Sequence, residues 1–74
     1  MIRWQIKQGP SRRDEDWRAV WLDTGNEFYH GGWPVFGAAM GLILDGKDPN
    51  EQVMVLSDSG TPSITAPLWR LAMS

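Results

Sequence analysis

The chain opens on strict alternation: Ile2, Trp4 and Ile6 interleave with Arg3, Gln5 and Lys7. A period of two marks a strand with one buried face, and Gly9-Pro10 ends it. Residues 17–22 repeat the pattern, with Trp17, Ala19 and Trp21 on one face and Arg18, Val20 and Leu22 on the other. Between them, Arg12 and Arg13 followed by Asp14, Glu15 and Asp16 read as a solvated connection. Asp23-Thr24-Gly25-Asn26 carries turn chemistry. Residues 27–30 then continue as a short third strand, stopped by Gly31-Gly32.

The period changes at Trp33. Trp33, Phe36, Met40 and Ile43 or Leu44 recur at helical spacing, Pro34 suits a first helical position and Gly46 suits a C-terminal cap, so a helix is expected over residues 33–45. Gly37 and Gly41 inside it cost about 1 kcal/mol each against alanine, which calls for close approach of the backbone to another element. Residues 52–56 form a continuous apolar run, the candidate central strand. A last strand over residues 63–73 is interrupted by Pro67 and is therefore expected at an edge, bent or split there. The order β-β-(β)-α-β-β predicts a single small α+β domain: an antiparallel or mixed sheet of four to five short strands with one helix packed on one face.

That helix is apolar nearly all round, so more than one of its faces needs cover. Residues 68–73 folding back would supply it; a second copy of the chain is the expectation, giving a homodimer through Phe36, Gly37, Met40, Gly41 and Leu44.

At 74 residues without cysteine, disulfides and thiolate zinc sites are excluded, and stability must come from large side chains or association. The chain holds 5 tryptophans, 2 phenylalanines and 1 tyrosine, more aromatic surface than one small core readily hides. The N-terminus lacks the long apolar run of a signal peptide, and the mostly apolar stretch over residues 33–44 is too short to span a bilayer, so a cytoplasmic protein is expected.

Candidate chemistry is sparse. His30 is the lone histidine, and no serine sits in a nucleophile-elbow pattern. Asp45, Asp48, Asn50 and Glu51 cluster without the spacing of a calcium loop, and no phosphate-cradling glycine pattern occurs. No metal, cofactor or enzymatic activity is expected. Charge divides unevenly: residues 1–22 hold five bases against three acids, whereas residues 23–74 hold two bases against six acids.

Surplus aromatic area without catalytic groups points to a non-enzymatic protein-binding module. It would be an accessory or inhibitory protein, of phage or mobile-element type, that occupies a surface on a larger partner. Trp17, Trp21, Trp69 and Arg18 are its candidate anchors. The alternative is a single-stranded nucleic-acid binder using Arg3, Lys7 and Arg18 with a nearby indole. A sequence pI near 5.1 opposes that alternative.

Overall fold

A computed structural model describes residues 1–73. Five strands form: β1 (Ile2–Gln8), β2 (Trp17–Trp21), β3 (Glu27–Gly31), β4 (Gln52–Leu56) and β5 (Pro62–Pro67). They make one mixed sheet of order β3-β2-β1-β4-β5, in which β1 runs antiparallel to β2 and parallel to β4. Two helices, α1 (Pro34–Leu44) and the single turn α2 (Leu68–Leu71), follow β3 and β5. The fold is α+β, as the two hydrophobic periods predict.

The middle strand is β1, whereas the continuous apolar run of β4 points to residues 52–56. Both helices lie over one face of the sheet, where Ile2, Trp4, Ala19, Val53, Val55 and Ala66 are buried with Ala38, Ala39, Leu42, Leu68 and Leu71. A sheet covered on one side favours clean alternation at its centre. In β4 only Val53 and Val55 face the core; Met54 and Leu56 are half-buried on the uncovered side.

A bulge shapes the β2–β3 pair. Ala19 pairs with Tyr29 and Val20 with Glu27, so Phe28 is the extra residue. Such an insertion re-aims side chains. Here Phe28 packs its ring on Trp4 and Trp21, and Tyr29 meets α1.

At α1, Pro34 occupies the first turn, where its missing N–H removes no helical bond. The helix closes with a Schellman arrangement: Gly46 N–H donates to the Ile43 carbonyl and Lys47 N–H to that of Leu42, both at 3.0 Å. Gly46 takes a φ of +99° there, which a side chain would resist.

Pro67 ends β5 at no cost to the ladder. Leu68 N–H donates to the Glu51 carbonyl at 2.9 Å. The Gln52–Pro67 pair is therefore a non-hydrogen-bonded one, and Pro67 nitrogen faces the free edge. The strand expected over residues 63–73 splits there, and the chain folds back as α2, burying Leu68 and Leu71 against α1. Part of the cover for α1 thus comes from its own chain, while Phe36 and Leu44 stay exposed.

The two helical glycines have different reasons. A Cβ on Gly37 would lie 2.3 Å from the Tyr29 ring, so the close approach inferred from the sequence holds there. A Cβ on Gly41 would meet nothing within 4 Å. Alanine substitutions should therefore have opposite signs in urea denaturation. Gly41→Ala should stabilise the protein by about 1 kcal/mol. Gly37→Ala should destabilise it by roughly 1–3 kcal/mol through overpacking. Equal effects would show that Tyr29 does not constrain the helix.

Candidate functional site

The connection between β1 and β2 is held by one carboxylate. Asp16 accepts hydrogen bonds from Ser11 N–H (3.0 Å), from Ser11 Oγ (2.5 Å) and from His30 Nε2 (2.9 Å). Gly9 lies against it so closely that a Cβ there would overlap the carboxylate. The Ser11 hydroxyl and His30 bonds, with the Ser11 backbone N–H, hold the Asp16 pKa down at about 2, well below the ordinary 3.8. Ser11, Asp16 and His30 do not make a nucleophilic triad. That chemistry needs imidazole between hydroxyl and carboxylate, whereas here the carboxylate stands between the other two. Its work is to fasten the loop to β3.

That fastening positions the next segment. The backbone of Asp14 and Glu15 packs on Gly32, and Tyr29 Oη donates to the Gly32 carbonyl at 2.6 Å. The chain then reaches Trp33, the N-cap of α1, with φ 55° and ψ 58°. A left-handed backbone costs a non-glycine residue about 1–2 kcal/mol. No side-chain capping bond offsets it, and Trp33 is 77% exposed. Arg12, in the β1–β2 loop, is the other non-glycine residue with a positive φ among the described residues, at 57°.

Trp33 borders an open trough of about 430 Å³, lined by Ile6, Trp17, Trp33, Pro34, Val35 and Phe36. Every lining side chain is aliphatic or aromatic. The trough lies where the C-terminal half of β1 and the start of β2 meet the first turn of α1.

The four anchors proposed from sequence are not brought together. Trp17 is half-buried and lines this trough. Trp21 belongs to the core, stacked on Phe28 at 4.1 Å and edge-on to Trp4 at 6.4 Å. Arg18 alternates to the uncovered face of the sheet, 3.7 Å from carboxylates of both Asp16 and Glu27. Trp69 is exposed on α2, beyond β4.

The cations of the nucleic-acid alternative do share the uncovered face, with Lys7 directly opposite Arg18 in register. Arg3, however, is bound to Asp23 at 3.0 Å, and the rings of Trp4 and Trp21 pack on the other side of the sheet. Of the self-association residues, Phe36 and Leu44 are exposed, Met40 is half-buried between them, and Gly37 is turned onto Tyr29. Hydrophobic spacing presents Trp33 only as one member of the helical apolar pattern. The signal that singles it out is a large aromatic where Ser, Thr, Asp, Asn or Gly is preferred, immediately before a first-turn proline.

Among the described residues, no three His, Asp or Glu side chains converge as a metal site. Compared with known protein families, curated proteins and solved structures, the chain matches none of them.

Two outcomes follow from this geometry. Because the folded Asp16 pKa lies below its unfolded value, its contribution is complete above about pH 4 and fades as pH falls toward 2. Asp16→Asn should lower the urea midpoint at neutral pH, and its deficit relative to the parent should shrink between pH 4 and 2. A deficit independent of pH would remove the clamp. Trp33→Asn places a residue tolerant of the left-handed region at the cap, so it should raise stability by about 1 kcal/mol. A loss instead would show that the indole serves internal packing.

Proposed function

We propose that the protein is a non-enzymatic binding module that seats part of a protein partner in the trough between Trp17 and Trp33. The observation that carries this reading is the exposed Trp33 indole, held in a strained backbone conformation beside a trough without charged groups. Tryptophan is among the favoured anchors of protein interfaces, and contiguous exposed apolar surface marks such sites. Removing roughly 200 Å² of indole surface from water is worth about 5 kcal/mol before the entropic cost of association. Trp17 and Phe36 beside it would add to that contact. An accessory or inhibitory role on a larger partner fits a chain whose binding surface occupies one end of a small sheet. No helix among the described residues is long and apolar enough to cross a membrane.

The nucleic-acid reading has less support. Arg3 and Arg18 already face carboxylates, and no indole ring stacks over their side of the sheet.

Immobilised protein should retain a partner from an extract of its native host, and the Trp33→Asn variant should lose it while remaining folded. An Arg3→Ala, Lys7→Ala double variant should retain it, with little dependence on salt. Retention that survives Trp33→Asn but falls steeply with added salt would overturn the reading in favour of phosphate contacts.

A further inference from the structure

A second hollow, of about 230 Å³, lies where α1 crosses β3 and the end of β2, and it shares no lining residue with the trough. Trp21, Phe28 and Tyr29 line it from the sheet, and Gly37, Gly41 and Asp45 line it from successive turns of α1 and its C-cap. Gly41 leaves room in this wall, since a Cβ there would meet nothing within 4 Å. Asp45 is the only charged residue of the lining. Its carboxylate has no hydrogen-bond or ion-pair partner among the described residues. Lys47, two residues on, lines a different hollow together with Arg3 and Asp23. The last turn of α1 carries no basic side chain, so the negative end of the helix adds to the charge of Asp45.

We propose that this hollow binds a small organic cation, a methylated ammonium group, with Asp45 as its counter-charge. The proposal is independent of the protein-binding reading, because it uses neither Trp17 nor Trp33. Aromatic residues gathered around a carboxylate suit ammonium groups whose methyl shell gives up water readily. The other classes of ligand match less well. An anion would meet like charge from both Asp45 and the helix end. A hard metal ion takes about six or more oxygen ligands, and the lining offers a single carboxylate. A primary ammonium brings three donors to that one unengaged acceptor group, and the Tyr29 hydroxyl is already committed to the Gly32 carbonyl. A methylated ammonium asks only for opposite charge and apolar surface, which this lining supplies. The volume falls below the roughly 300–1,000 Å³ of drug-sized ligand sites, so the group it takes is a compact one.

The test is a titration of the ¹⁵N-labelled full chain with choline at constant ionic strength, followed through its amide resonances. Its neutral isostere, 3,3-dimethylbutan-1-ol, serves as the comparison ligand. Choline should move the Gly41 and Asp45 amides saturably and bind roughly three- to tenfold more tightly than the isostere. Asp45→Asn should remove that preference while leaving the isostere's affinity unchanged. Gly41→Leu adds bulk to the wall where no neighbour is crowded, so it should stay folded and lose choline. Trp33→Asn should bind choline as the parent does, which keeps this site distinguishable from the trough. A blocked tripeptide with a central trimethyl-lysine identifies the source of the cation. Tighter binding of the peptide assigns the group to a side chain of a partner, and tighter binding of choline assigns it to a free molecule. The proposal is overturned if choline moves no amide saturably, if the isostere binds as tightly, or if Asp45→Asn binds choline as the parent does.

Discussion

The structure depends on burying one tryptophan. Trp4 stands on the middle strand with none of its surface exposed, flanked in register by Trp21 on β2 and Val55 on β4. Phe28 meets its ring edge-on at 5.5 Å and stacks on Trp21 at 4.1 Å, so three aromatic rings form one block beneath α1. The indole N–H of Trp4 is buried without an acceptor, which costs about 1–3 kcal/mol. Enclosing so large an apolar ring more than offsets that penalty. A short chain without disulfides gains the core it needs by spending few residues on a large area. The bulge at Phe28 follows from the same demand, since regular alternation would have directed that ring away from Trp4.

Once the aromatic block is centred on β1, the rest of the layer has little freedom. α1 must approach the sheet over Tyr29, which admits only glycine at position 37. α2 closes the other side, because Pro67 turns the chain out of β5 and directs Leu68 and Leu71 inward. The tryptophans outside this block (Trp17 at the start of β2, Trp33 at the helix entry and Trp69 on α2) lie at the margins of the layer. Surplus aromatic surface therefore collects at the ends of the fold.

The Asp16 clamp connects this architecture to the trough. It binds the β1–β2 loop to His30, and the same loop supplies the backbone that packs on Gly32, one residue before Trp33. Loop, edge strand and helix entry consequently share one support. An exposed indole in an unfavourable backbone conformation needs such over-determination from its surroundings. For the proposed binding role, a rigid trough wall spares the partner the cost of ordering it.

Local pattern was sufficient for the five strands and α1, but not for α2, whose residues were read as the end of the last strand. Alternation placed β1, β2 and β3 within a residue or so, and the helical spacing with its proline and glycine punctuation placed α1 over residues 33–45, one residue beyond the observed helix at each end. The faces of β1 and β2 were also legible, because a period of two assigns each side chain to a side whatever it packs against. Strand order was not. β4 has the stronger apolar run, yet the centre belongs to β1, because the helices cover a single face and that choice is made only when all layers assemble. The fate of Trp17, Trp21 and Trp69 was equally hidden, since an indole on a buried face reads identically whether a bulge brings Phe28 onto it or leaves it at a margin. Trp33 carried its clue in the sequence, a bulky residue at a capping position. Its left-handed backbone, its exposure and its pairing with Trp17 came from the closing of loop, strand and helix around Gly32, contacts between segments that local pattern does not encode.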